Sequence, residues 1–275
     1  MTAEASAAMS NPILYQYAKV NGVRLRYRVE GSGPVIALIH GVGGSLEDWD
    51  RVAPQLTPRF TVIRHDQRGH GESEKAPGPY VVDDFARDLH ALLGHLRVET
   101  CHVAGFSLGG LVAQAFALNY PKMVDRLILL STVAGRTEEE KKRVLDRLDI
   151  VATGIPGQHF ENSVARWFTD EFQKANPDLI AAYAKRSRQN DPKAYAAAYR
   201  VLAITDLADR LPEIKRPTLV ATAENDIGSN PRMARLMHER IAGSKLYIFP
   251  HLRHSILTEA PDTVAKVMLD FLGPQ

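Results

Sequence analysis

The run His102-Val103-Ala104-Gly105-Phe106-Ser107-Leu108-Gly109-Gly110 decides how the chain is read. His102 to Phe106 is a short, nearly apolar run of the kind that forms a strand covered on both faces. Leu108 to Asn119 follows it with a helical pattern. Ser107 therefore falls on a tight strand-to-helix turn with strained backbone angles, and the glycines two residues before and after it let strand and helix approach. Such a turn lifts the hydroxyl clear of the sheet and sets it beside the positive end of a helix. The bland alternative is a chance Gly-x-Ser-x-Gly in a glycine-rich turn; the strand–turn–helix setting favours a nucleophile.

Outward from this turn, strand and helix signals alternate. Arg24 to Glu30 puts Leu25, Tyr27 and Val29 on one face and Arg24, Arg26 and Arg28 on the other, the period-two pattern of a half-buried strand. Val35 to Ile39, Phe60 to Ile63, Leu127 to Leu130, Thr218 to Thr222 and Leu246 to Phe249 are further buried-strand runs. Helical patterns occupy Leu46 to Leu56, Val82 to Leu96, Arg232 to Ile241 and Pro261 to Phe271. This order predicts an α/β fold with a mostly parallel central sheet and helices on both faces. One interval, Val133 to Leu211, lacks a strand signal and is rich in Ala, Lys, Glu and Arg. At about 80 residues it is too long for an ordinary crossover. It reads as an inserted helical cap with Trp167 and Phe168 facing inward. The expected organisation is a core of residues 1–132 and 212–275 and a cap of residues 133–211. The small, polar stretch Met1 to Asn11 reads as a frayed leader.

Of the 275 residues, 45% are hydrophobic and 24% charged, the balance of an ordinary globular protein with ample core. Basic residues number 34 and acidic residues 32, and the net charge of +2 argues against a nucleic-acid binder, which carries a basic face. The single cysteine, Cys101, excludes an internal disulfide and a cysteine-based zinc site. No signal-peptide pattern and no apolar run of membrane-spanning length is visible, so the expectation is a soluble, cytoplasmic protein that engages no membrane.

A serine hydroxyl is a weak nucleophile without a base. Of the 10 histidines, His90 and His95 fall within a helix, His65 and His70 in a polar loop, and none has metal-ligand spacing. His251 and His254 both follow the last strand. Residues just past the C-terminal ends of parallel strands gather on one edge of the sheet, the edge that carries Ser107. Glu224 and Asp226 lie past the end of the strand Thr218 to Thr222 and are both candidates to orient a histidine, whereas Asp125 lies at the opposite end of its strand. His40-Gly41-Val42-Gly43-Gly44 follows the strand Val35 to Ile39. Glycines there let a backbone N–H turn toward the space above Ser107, so that the Val42 and Leu108 amides can bind a developing oxyanion. A phosphate-binding reading fails, because Leu46 stands where Gly-x-Gly-x-x-Gly needs its last glycine.

His40 to Gly44, Asp66-Gln67-Arg68-Gly69-His70-Gly71-Glu72-Ser73, Gly105 to Gly110, Ala223 to Asp226 and Arg253 to Pro261 together resemble the α/β-hydrolase fold superfamily, over about Tyr15 to Leu272. Arg166-Trp167-Phe168-Thr169 and the cap around Asp191 to Leu207 are similar to the 3-oxoadipate enol-lactonase and carboxylesterase-like group. The chain departs from that group at His40 to Gly43 and at Arg253 to Thr258. The resemblance implies a serine hydrolase of carboxylic esters or lactones, with Ser107 the nucleophile, His254 the base, Asp226 the acid, and Val42 and Leu108 the oxyanion donors. It makes Trp167 a substrate contact and gives Arg68 and His70 a bracing role at the sheet edge. It implies a small-molecule substrate and neither metal, nucleotide nor flavin. Haloalkane dehalogenases and epoxide hydrolases resemble the chain but carry Asp in place of Ser107, which excludes them. A carbon–carbon hydrolase of ring-cleavage products, a cofactor-free peroxidase or perhydrolase, and a catalytically silent ligand receptor share the fold and remain alternatives.

Overall fold

The strand signals assemble into one sheet. The computed structural model describes residues 15–153, 155 and 157–273, so the reading of Met1 to Asn11 as a leader lies outside the described residues. Eight strands, β1 (Gln16–Val20), β2 (Val23–Glu30), β3 (Val35–Ile39), β4 (Thr61–His65), β5 (Cys101–Phe106), β6 (Val124–Leu130), β7 (Thr218–Ala223) and β8 (Lys245–Phe249), lie in the order β1-β2-β4-β3-β5-β6-β7-β8. From β4 to β8 across the sheet every pairing is parallel, while β2 is antiparallel to both β1 and β4. The helices in chain order are α1 (Ala53–Leu56), α2 (Val82–His95), α3 (Leu108–Asn119), α4 (Glu138–Thr153), α5 (Gln158–Glu161), α6 (Val164–Trp167), α7 (Asp170–Ala175), α8 (Pro177–Ser187), α9 (Pro192–Ile204), α10 (Pro231–Arg240), α11 (Ile256–Glu259) and α12 (Pro261–Leu272). Among the described residues, no helix is long and apolar enough to cross a membrane.

The central strands read as unbroken apolar runs because both of their faces are covered. Ala37, Ile39, Val103, Leu127, Leu129 and Val220 join a core with residues of α2, α3 and α10. Their neighbours Ile36, Leu38, Ala104, Ile128, Leu130 and Leu219 join a second core with residues of α1 and α12. The chain leaves β3 for β4 on one side and returns to place β5 on the other. The crevice at the carboxyl ends of β3 and β5 is thus a topological switch point, where open α/β sheets bind their ligands. The turn after β3 and Ser107 after β5 both lie there. The interval between β6 and β7 contains α4 to α9 and no strand among its described residues.

Four expectations need correction. The strand β1 has no counterpart among the strand runs expected from the sequence. Its signal was Asn21-Gly22, both at positive φ (47° and 80°), the two-residue turn that joins a hairpin. The helix expected over Leu46 to Leu56 is instead a 3-10 turn at Leu46–Trp49 followed by α1, because Pro54 starts a new helix where it cannot continue an old one. The arginine face of β2 is only partly open to solvent: Arg24 is exposed, but Arg28 is partly covered and Arg26 is buried, while Val29 on the other face is exposed. Arg26 is buried, with Nε 2.7 Å from Asp66 and a second pairing to Glu47, and Arg64 is buried on Glu30 and Asp50. Finally, of the two histidines expected in a polar loop, His70 lies in one and His65 does not. His65 ends β4, and both rings are buried.

These rings make acid stability testable. Burial is the main cause that pushes His40 down to about 4 and His65 and His70 to about 3. In the unfolded chain each titrates near 6.5, so below that pH the unfolded state binds more protons and stability falls as pH falls, down to the folded values. The Asp226 carboxyl, also shifted, has an unfolded value of 3.8 and contributes only at lower pH. Urea unfolding should therefore show a loss of about 3–6 kcal/mol between pH 7 and pH 5. A level stability across that window would contradict the neutral, buried state of the three rings.

Candidate active site

Ser107 has φ 56° and ψ −117°, a conformation a non-glycine residue adopts only under constraint, at a cost of about 1–3 kcal/mol. The constraint comes from both sides. Ser107 N–H donates to Leu130 O at 2.9 Å, and Ser107 O accepts from Thr132 Oγ1 at 2.7 Å and from Gly110 N–H at 3.0 Å. A Cβ on Gly105 would lie 2.1 Å from Gly109 O, and one on Gly109 would lie 2.3 Å from Ile39 O, so only glycine lets β5, α3 and β3 meet this closely. The N-terminus of α3 is thereby fixed directly beneath the serine.

Two acid–histidine pairs form past β7 and β8, and they are unequal. His254 Nδ1 lies 2.6 Å from Asp226 Oδ2, with Asp226 2% exposed. The other carboxyl oxygen of Asp226 accepts the Gly228 and Ser229 N–H groups, each at 2.9 Å. Burial alone would raise the Asp226 pKa, but the His254 charge and the three hydrogen bonds outweigh it and hold the carboxyl below its usual value. An ionised Asp226 keeps the proton of His254 on Nδ1 and leaves Nε2 as the acceptor. Glu224 instead accepts from the His251 N–H at 2.8 Å, and the His251 ring is exposed, 3.7 Å from the Glu224 carboxylate. Of the competing residues, therefore, Asp226 and His254 are joined inside and Glu224 and His251 outside. Asp125 sits near the start of β6, beside His102 and remote from this edge.

The turn after β3 is held by buried chemistry that the sequence reading passed over. His40 Nδ1 donates to Gly41 O at 2.7 Å, and its Nε2 accepts the Gln67 N–H at 3.0 Å. Only a neutral ring can do both, in keeping with its lowered pKa. His70 packs edge-on against it with ring centres 5.0 Å apart. The turn then passes close over Ser107, since a Cβ on Gly41 would lie 3.3 Å from Ser107 Cβ. Neither the Val42 N–H nor the Leu108 N–H has a hydrogen-bond partner among the described residues. The loop Asp66 to Ser73 braces the same edge. Asp66 accepts from Arg26, Leu46 and Glu72, and Arg68 grips Asp88 of α2 through two nitrogens at 2.6 and 2.7 Å.

Ser107, His254, Val42 and Trp167 line two adjoining cavities. One has aromatic walls, among them Phe106, Phe160, Phe168, Tyr183 and Tyr195. The other has polar walls and includes Arg136, Arg147, Arg166 and Asp226. Trp167 packs its ring against His254, Phe160 and His159, at centre distances of 6.3, 5.7 and 5.5 Å. Its carbonyl accepts the Ser255 N–H at 2.9 Å, which ties α6 to the histidine loop.

A family model for the alpha/beta hydrolase fold matches residues 34–261. An uncharacterized protein of Mycobacterium tuberculosis is 45% identical over 120 residues, 44% of this chain and 35% of its own, so the chain spans about a third of that relative's length. 3-Oxoadipate enol-lactonase 2 of Acinetobacter baylyi is 27% identical over 228 residues, covering 82% of this chain and 85% of the relative. Among solved structures, the enol-lactonase from Burkholderia xenovorans superposes with a TM-score of 0.88 at 29% identity, over 94% of this chain and 99% of that one. The family match begins just before β3 and ends where α12 begins, and so takes in the turn after β3, the serine turn and the histidine loop: the chain belongs to the α/β-hydrolase fold family.

Proposed function

We propose that the protein hydrolyses a carboxylic ester or lactone through an acyl-enzyme on Ser107. The observation that carries this reading is the pairing of buried Asp226 with His254 at 2.6 Å, on the same cavity as a serine held at positive φ. Ser107 Oγ has no hydrogen bond among the described residues, and in sites of this kind its contact with the base commonly tightens on substrate binding. In the reaction His254 Nε2 takes the Ser107 proton as Oγ attacks the carbonyl, and Asp226 stabilises the imidazolium that forms. The unpartnered Val42 and Leu108 amides receive the oxyanion, each donor worth about 3–4 kcal/mol in sites of this type. His254 then protonates the leaving oxygen, and water repeats the cycle on the acyl-enzyme. With a lactone the leaving alcohol stays tethered, so hydrolysis competes with ring closure.

A panel of lactones, short p-nitrophenyl esters and ring-cleavage diketones tests the substrate class. Turnover of esters or lactones with a kcat/KM at least tenfold above that on the diketones is expected. The reverse ranking would favour a carbon–carbon hydrolase and overturn the ester reading.

In this reading α4 to α9 act as the cap that selects substrate, and Trp167, on the wall of both cavities, is a selecting residue. It contacts substrate away from the reacting carbonyl, so trimming it changes preference more than chemistry. Trp167→Ala should shift the kcat/KM ratio between a bulky and a small ester by roughly tenfold or more, as for other apolar pocket contacts. Equal losses on both esters together with a lower Tm would assign the ring to the packing of Phe160 and His159 instead.

A further inference from the structure

The turn that carries the Val42 N–H is held from two sides, and only one of them belongs to the core. On the core side the neutral His40 ring donates to Gly41 O, and Gln67 Nε2 donates to His40 O at 2.8 Å. Within the turn a bond runs from the Gly44 N–H to Gly41 O at 3.2 Å, and Gly43 stands at φ 71°. Gly43 and Gly44 are consecutive, and a glycine pair resists backbone rotation weakly. One fixed path through them therefore requires contacts from outside the turn.

Those contacts come from α8, α9 and the link between them. Asn190, in the link, donates from Nδ2 to Gly43 O at 3.1 Å. The Tyr195 ring of α9 lies against the same glycine, since a Cβ on Gly43 would be 2.5 Å from its Cε2. Arg186, near the end of α8, pairs with Asp48 Oδ1 and reaches Ser45 Oγ at 3.4 Å. The other carboxylate oxygen of Asp48 is packed on Gly44, where an added Cβ would collide with it. The rest of the cap is fastened to a different part of the site. Arg253 Nη1 donates to Ala165 O and Phe168 O, each at 2.7 Å, and the Thr169 N–H donates to Glu259 at 3.1 Å. Thus α6 and α7 are tied to the segment around His254, and α8 and α9 to the turn after β3. Asn190 lines neither cavity beside Ser107, so its amide is spent on the turn.

We propose that Asn190, supported by the Arg186–Asp48 pair, is a positioning residue that holds the turn after β3 where the Val42 N–H meets the oxyanion. Chemistry at Ser107 then requires this half of the cap to be seated. The assignment rests on the hydrolase reading above but has a readout that does not. A donor stabilises an oxyanion only when it lies about 2.7–3.1 Å from it. Misplacement by about 1 Å is enough to cost up to about a hundredfold. Because the oxyanion exists only in the transition state, the loss falls on kcat and leaves ground-state binding alone.

Ester kinetics and hydrogen exchange on the intact protein test this together. With a p-nitrophenyl ester, Asn190→Ala should lower kcat and kcat/KM alike, at least about tenfold, with KM within about threefold of the parent. Asn190→Asp sets a second acceptor against the Gly43 carbonyl and should lose at least as much, whereas Asn190→Gln keeps a donor and should recover in part. The Ki of a trifluoromethyl ketone, whose adduct with Ser107 carries an oxyanion at the same place, should weaken in proportion to kcat. Exchange should quicken in the peptide spanning Gly41 to Leu46 and stay unchanged in the peptide containing His254. Arg186→Gln should repeat the pattern and takes the place of Asn190→Ala if that variant does not fold. A kcat within about twofold of the parent would overturn the assignment, and a raised KM at unchanged kcat would do so by making Asn190 a substrate contact. Faster exchange in both peptides together with a lower Tm would reduce its role to general packing and overturn it too. Faster exchange confined to the turn, in a protein whose parent hydrolyses no ester, would leave the latch standing and refute the hydrolase reading alone.

Discussion

Ser107→Ala should lower kcat/KM for ester hydrolysis by at least about a thousandfold while the protein stays folded. Removing a nucleophile disables the base and acid along with it, so the loss is of the order seen when a whole triad is removed. What remains is the background from the unpartnered Val42 and Leu108 amides and from binding. The substitution leaves the turn intact, because Gly105, Gly109 and the Leu130 and Thr132 hydrogen bonds to the Ser107 backbone fix its path. Circular dichroism and Tm close to the parent would show that only chemistry was lost. Turnover within tenfold of the parent would defeat the assignment.

Asp226→Asn should cost about ten-thousandfold in kcat, and Glu224→Gln less than about threefold. The asparagine oxygen can still accept the Gly228 and Ser229 amides, which leaves its NH2 facing His254 Nδ1. Nδ1 must then act as acceptor, the ring proton moves to Nε2, and the base can no longer take a proton from Ser107. Glu224 is half exposed, and among the described residues only the His251 N–H and ring pair with its carboxylate. A variant pair ranking the other way would show that the acid is misassigned.

The serine turn was legible because local physics over-determines it. Glycines at 105 and 109, an apolar strand before and a helix after allow one geometry, and the structure places Ser107 there at φ 56°. The two acid–histidine pairs were harder to separate. Glu224 and Asp226 follow one strand and His251 and His254 another, and only the inward turn of Asp226 onto the Gly228 and Ser229 amides decides which pair is buried. Least legible were the charged residues that the fold buries. Arg26, Arg64, Asp66, His40 and His70 look like solvent residues in a sequence window, yet each finds a partner or a packed ring at the edge where β2, β3 and β4 meet, and His65 is buried beside them. A strand reading based on hydropathy shortens β4 at Ile63 for that reason. The arginine cavity was equally invisible, since α4 and α6 bring Arg147 and Arg166 together only in three dimensions.

The central claim is that Ser107 is the activated nucleophile. Treating the native protein with a fluorophosphonate and mapping the adduct by peptide mass tests it most directly. One adduct per chain is expected, on the peptide containing Ser107, with labelling slowed at least about a hundredfold in His254→Ala, where the general base is gone. An adduct on any other residue, or no adduct from a preparation that hydrolyses esters, would contradict the account.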